Sequence, residues 1–337
     1  MFRRLYADQS VERKGLAILR ILADATEPLG ARNIAAELTN YGIDLTERAV
    51  RYHLRLMDER GLTVCLGEPG RVITDKGREE LQNALVSDKL GFVQSRIETL
   101  AYRSSFDVET GKGELLVNAS LLPRDRFEEC IEIMRPVFRA GYCMSELVAI
   151  ADQGGRLGDL RIPEGYVGFG TVCTVTLNGV LLRYRVPVES KFGGLVEISD
   201  FHAVRFTELI SYSGTTLDPA EIFITGKMTQ VRSAATEGHG KILASFREVP
   251  AVVLPDLLRV FKHFERSGIR GILAVGRPGQ QLLDVPVGPD RIGLAVVGGL
   301  TPVAALAEAG IPTENKAMKS LVNAADMKSI WSDNLLS

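Results

Sequence analysis

Between Thr46 and Gly61 the chain reads TERAVRYHLRLMDERG, and Arg48, Arg51 and Arg55 recur there at spacings of three and four residues. At ~3.6 residues per turn these arginines and Tyr52 line one stripe of a helix, while Val50, Leu54 and Met57 line the opposite one. Guanidinium forks in a row suit phosphate oxygens and guanine edges, because each fork can make two parallel hydrogen bonds. On a helix by itself such a stripe is usually a solvated charged face. The neighbouring elements must decide between the two.

A second class of chemistry is anion binding by backbone N–H groups in glycine-rich turns. Three segments qualify: Lys191-Phe192-Gly193-Gly194 within VESKFGGLVEI, the polar run Ser213 to Thr216 (including Thr215 and Thr216), and Gly298-Gly299 with Thr301. The ordinary role of such glycines is a tight turn. Catalytic constellations are not legible. His53, His202, His239 and His263 are far apart and lack metal-ligand spacing. GFGTV and VVGGLTP are not followed by the helix and acid of a dinucleotide fingerprint. The expectation is a protein with no catalytic residues, no metal and no cofactor.

The elements around the arginine stripe change its reading. Val11, Gly15, Ile18, Leu19 and Leu22 share a face of a helix over about 11–25, broken by Pro28 and Gly30. A second helix carries Ile34, Ala35 and Leu38 inward and stops at Tyr41-Gly42. Thr46 is a candidate N-cap for the arginine-bearing helix. After Gly61 come two β-type runs, LTVCLG and RVIT, around Glu68-Pro69-Gly70, and then a short helix, REELQNAL. Three helices, the third basic, followed by a two-stranded wing resemble the winged helix-turn-helix family. That resemblance makes the third helix a recognition helix for the major groove of double-stranded DNA, with Arg71 of the wing at backbone phosphate.

Bulk composition agrees with a local basic patch only. The 337 residues are 45% hydrophobic and 24% charged, with a net charge of -2. Cys65, Cys130, Cys143 and Cys173 form no C-x-x-C pair and sit in apolar contexts, so they read as small buried hydrophobes in a reducing compartment. No secretory leader and no bilayer-length apolar run are visible, and the expected location is cytoplasmic, without a membrane partner.

The remainder repeats itself. GKGELLVNASLLP from Gly111 matches GHGKILASFREVP from Gly238 without a gap, and both end on proline, at Pro123 and Pro250. The likeness continues through an amphipathic helix into VPVESK (186–191) and IPTENK (311–316). The expected organisation is a DNA-binding domain over 1–85, a connecting segment over 86–110 and a regulatory domain over 111–323. The regulatory domain divides into repeats at about 111–196 and 238–322, with 197–237 between them. The fold class is α+β: a winged helix-turn-helix, then a larger domain with helices on one face of each sheet and a ligand cleft between the repeats. The tail beyond about 323 reads as a short helix or a loose end.

A winged helix joined to VESKFGGLVEI, SYSGTTLDPAEIF and GLAVVGGLTPVAALAEAGIP resembles the NrpR-type nitrogen regulators, over nearly the whole chain. The resemblance implies a repressor of nitrogen-assimilation genes that binds a palindromic operator as a homodimer. It implies 2-oxoglutarate as the small-molecule effector that releases it, and it allows a second regulatory subunit lacking the winged helix. For a dicarboxylate, cations and paired amides are the expected partners, so Lys191, Arg232 and Lys316 join Gly193, Gly194, Thr215 and Thr216 as candidates. Two other readings of the residues stay open: the same architecture sensing another metabolite, and an enzyme whose active site lies between the repeats.

Overall fold

The computed structural model describes residues 2–83, 91–333 and 335–336. The chain divides into two compact units between Thr99 and Leu100.

In the first unit the helices are α1 (Phe2–Asp24), α2 (Ala31–Thr39) and α3 (Glu47–Glu59), followed by β1 (Thr63–Cys65), β2 (Arg71–Ile73) and α4 (Asp75–Asn83). Helix α1 starts well before the expected residue 11. The inward stripes are those read from the periodicity: Ile18, Leu22, Ile34, Leu38, Val50 and Leu54 meet in one core. Thr46 caps α3 by accepting from the Ala49 N–H at 3.3 Å. Strands β1 and β2 pair antiparallel with Thr63 opposite Ile73. Leu29 adds a bridge to Arg71, with N–H···O distances of 3.0 and 2.9 Å in the two directions. Gly70 makes this approach feasible: its φ is +115°, and a Cβ there would lie 2.4 Å from the Leu29 carbonyl carbon. Cys65 corrects one expectation. It is exposed, at the end of β1 toward the tip of the wing, whereas Thr63 at the other end of the strand is buried.

The expected connecting segment is in part outside the described residues. From Phe92 to Arg103 it is a helix, α5, and the division between the units falls inside it.

The second unit runs β3 (Glu114–Pro123), α6 (Phe127–Arg139), β4 (Leu147–Ala151), β5 (Tyr166–Val172), α7 (Val175–Arg183), β6 (Glu189–Ser199) and β7 (His202–Ser211). It continues with α8 (Pro219–Thr225), α9 (Val231–Glu237), β8 (Gly240–Pro250), α10 (Leu254–Ser267), β9 (Ile272–Val275), β10 (Arg291–Val297), α11 (Thr301–Glu308), β11 (Glu314–Asn323) and β12 (Lys328–Ser329). Two five-stranded antiparallel sheets result, in the orders β11-β3-β5-β4-β12 and β9-β10-β8-β6-β7.

The main elements of each repeat run strand, helix, strand, strand, helix, strand, and the repeats do not fold as separate sheets. Each gives its last strand to the other: β6 pairs with β8, and β11 pairs with β3. Equivalent side chains make equivalent bonds on both sides. The Thr176 hydroxyl donates to the Leu116 carbonyl at 3.1 Å, and the Thr301 hydroxyl donates to the Leu243 carbonyl at 3.2 Å. Two apolar cores fill the unit. One gathers α6 and α11 with residues of both sheets, and the other gathers α7 and α10 with residues of both sheets. The C-terminal tail is an element, not a loose end. Strand β12 pairs with β4, and the Trp331 indole N–H donates to Glu146 Oε2 at 2.9 Å.

Candidate functional site

Helix α3 buries Val50, Leu54 and Met57 and leaves Arg48, Arg51, Tyr52 and Arg55 exposed. The predicted stripe is therefore an outward face of a capped, packed helix. Arg51 is ion-paired with Glu47 one turn back. Arg55 lies 3.6 Å from Glu59 and stacks over the Tyr52 ring at 5.8 Å. Exposed pairs of this kind contribute little and exchange readily for a phosphate. His53, half-buried on the same helix, titrates below its ordinary value because burial and nearby Lys14 disfavour its charge. It is neutral at neutral pH and adds no cation to the face.

Arg71, expected at backbone phosphate, is paired within the first unit. Its side chain is 22% exposed, and its Nε donates to Asp58 Oδ2 at 2.8 Å. Asp58 also accepts from the Thr63 hydroxyl at 2.5 Å. Both strands of the wing are thus tied to the last turn of α3, and Arg71 holds the wing.

In the second unit, part of the expected anion set comes together. Lys191 and Gly193 lie on β6, and the turn carrying Thr215 and Thr216 follows β7; the Tyr212 N–H donates to the Lys191 carbonyl at 3.1 Å. The charge of Lys191 is already engaged, with Glu189 at 2.9 Å and Glu248 at 3.9 Å. The Thr215 hydroxyl donates to the Leu217 carbonyl at 2.7 Å and closes the turn. Gly194 and Gly299 are close-packing glycines: a Cβ would meet the Glu208 carbonyl oxygen at 2.3 Å and the Val172 carbonyl oxygen at 2.4 Å, respectively. Arg232 and Lys316 sit on other elements. Arg232 is exposed on α9, and Lys316 is on β11 beside Ala317, whose N–H donates to Glu221 at 2.7 Å.

Two polar groups escaped the sequence reading. Glu308 caps α9, accepting from Val231 N at 2.6 Å, Arg232 N at 3.0 Å and the Thr229 hydroxyl at 2.8 Å. Arg247, on β8, is 1% exposed. Its Nε donates to Asn178 Oδ1 of α7 at 2.7 Å, and its Nη1 donates to the Ser245 hydroxyl. A signal for it existed: in ILASFREV the arginine stands inside an apolar strand, where the first repeat has Ser120. Among the described residues no group of three or more His, Cys, Asp and Glu side chains is placed to hold a metal, and no helix is long and apolar enough to cross a membrane.

Comparison with known proteins places these features. Residues 90–329 match the family described as NrpR regulatory domains NRD1 and 2, and residues 16–81 match the Ribonuclease R winged-helix domain. The chain is 41% identical over 323 residues to a global nitrogen regulator, NrpRI, of Methanosarcina mazei, covering 96% of this chain and 99% of that one. It is 33% identical to the global nitrogen regulator NrpR of Methanocaldococcus jannaschii, covering 93% of this chain but 54% of that longer protein. The crystal structure of a nitrogen repressor-like protein from Methanococcus jannaschii superposes with a TM-score of 0.60 at 28% identity, covering 71% of this chain and 98% of that one. With its winged helix and a regulatory-domain match over most of its length, the chain belongs to the NrpR family of nitrogen regulators.

Proposed function

We propose that this protein is a cytoplasmic transcriptional repressor of nitrogen-assimilation genes, that it binds a palindromic operator as a homodimer, and that 2-oxoglutarate releases it. The observation that carries the reading is the exposed Arg48, Arg51, Tyr52 and Arg55 face of α3 in a chain whose remaining length matches the NrpR regulatory domain. Two copies of α3 related by a two-fold axis would read half-sites roughly 34–36 Å apart. An effector weakens DNA binding only through a preference for a conformation that misplaces those helices. The Methanocaldococcus jannaschii relative is nearly twice as long, so a second subunit without a winged helix is a compatible partner here.

Fluorescence anisotropy on a palindromic promoter duplex tests the reading. Affinity should fall steeply with salt as condensed counterions are released. Millimolar 2-oxoglutarate should release the duplex, and glutamate should not. Loss of affinity with another metabolite instead would keep the repressor and replace the effector. Failure to bind any promoter duplex at low salt would remove the repressor reading.

A further inference from the structure

Arg247 is a buried cation that no carboxylate among the described residues hydrogen-bonds. Two of its five N–H groups are used, and both go to neutral acceptors, Asn178 Oδ1 and the Ser245 hydroxyl. The orientation of Asn178 is set from its other end, where Nδ2 donates to the Ser190 hydroxyl at 2.9 Å. Among the described residues Arg247 makes no ion pair, and the groups that attract its charge are the Tyr212 phenol and the Cys173 thiol. Burial first and the nearby Asp218 carboxylate second push Tyr212 upward, and the same two influences raise Cys173 to about 11, so neither is ionised at neutral pH; Asp218 itself caps α8, accepting from the Ala220 N–H at 2.9 Å. Burying an unpaired guanidinium is costly, and such a group is normally completed by a carboxylate or phosphate.

The surroundings leave polar capacity on the same side. Gly193 and Ser190 of β6 lie opposite Ser245 and Arg247 of β8, so all four share one sheet face. A Cβ at Gly193 would meet the Pro219 side chain at 2.6 Å and come within 3.2 Å of the Tyr212 hydroxyl, so the proline ring and the phenol together cover that strand. The Tyr212 hydroxyl makes no hydrogen bond among the described residues. Arg247 and Ser245 come from the second repeat, Asn178 and Ser190 from the first, and Tyr212 from the segment between them.

At the equivalent strand positions of the other sheet the residues are uncharged. Ser120 and Asn118 stand where the second repeat has Arg247 and Ser245, and Asn315 pairs with Ser120 as Ser190 pairs with Arg247. There the Ser120 hydroxyl and the Asn315 carbonyl oxygen are buried without a partner.

We infer that Arg247 is the buried anchor for one carboxylate of a small effector, at one site per chain, with the Tyr212 hydroxyl as a second donor. The inference rests on the effector-released repressor proposed above and adds where the ligand's charge is held. Because the site draws on both repeats, an occupant would tie them together. With 1% of its surface exposed, Arg247 is met only after local opening, so association should be slow for a small ligand.

The test is calorimetric titration of the full chain with 2-oxoglutarate, glutarate and inorganic phosphate, comparing wild type with Arg247→Gln, alongside operator affinity without ligand. The expected result is one carboxylate per chain in the wild type and binding weakened about 100-fold in the variant, with ligand-free operator affinity unchanged. Should Arg247→Gln fail to fold, Asn178→Asp decides instead. It supplies an internal carboxylate beside the guanidinium, and should raise the melting temperature while weakening carboxylate binding at least about 10-fold. A variant that binds the carboxylate as tightly as wild type overturns the anchor, and so does a wild type that binds none of the three compounds. Arg247-dependent binding of glutarate but not 2-oxoglutarate would sustain the anchor while removing the effector proposed above.

Discussion

Arginines of one chemistry have three uses in this chain, and burial and partners separate them. Arg51 is exposed, and its Glu47 partner costs little to leave, so Arg51→Ala should weaken operator binding by about 1–3 kcal/mol with no change in unfolding temperature. An unchanged operator affinity would show that α3 presents another face to DNA. Arg71 is part-buried against Asp58, so Arg71→Ala should lower the stability of the first unit by about 1 kcal/mol, read by thermal unfolding, and leave the salt slope of DNA binding in place. His53 gives a pH signature. Its folded-state titration lies below the ordinary 6.5, so the unfolded chain takes up its proton first as pH falls. Stability contributed by neutral His53 is therefore present above that value and lost as pH drops below it. His53→Gln should flatten the decline of first-unit stability in that window.

Among the elements, the wing and α9 depend on single groups placed by the fold. In the wing, Gly70 has a positive φ and meets the Leu29 backbone, so Gly70→Ala strains both the turn and the Leu29–Arg71 bridge. A loss of about 1–3 kcal/mol is expected, with faster hydrogen exchange at the Leu29 and Arg71 amides as the specific sign. Helix α9 has only seven residues, and its cap comes from Glu308 on α11, far along the chain. The inward stripes and the stops of α2 and α3 were legible, because helical period and glycine stops are local rules. The α9 cap was not, because the carboxylate that supplies it is 77 residues away from Val231.

For the molecule as a whole, the strand exchange has the largest consequence. Residues 100–196 contain one repeat but lack β11, the partner of β3, and so would expose the edge of that apolar strand. Expressed alone, this fragment should be unfolded or aggregated by circular dichroism and size exclusion, whereas residues 100–337 should fold cooperatively. A folded, monomeric 100–196 fragment would show that β3 does not need the exchanged strand. The exchange also makes any ligand held by both repeats a natural means of biasing the regulatory domain between two arrangements.

Periodicity, turn residues and self-similarity are local properties, and they make the winged helix, the outward arginine face and the two repeats readable along the chain. It also contained the long phrases that mark the family. Tertiary structure decided the partners. Arg71 and Lys191 read as available cations until Asp58, Glu189 and Glu248 were placed beside them. Arg247 drew no reading from the sequence, and only the fold encloses it against Asn178 and Ser245. Which repeat completes which sheet was equally hidden, because the repeats are alike and either pairing satisfies the same alternating pattern. Local rules specify which face of an element is polar; only the folded chain specifies what that face meets.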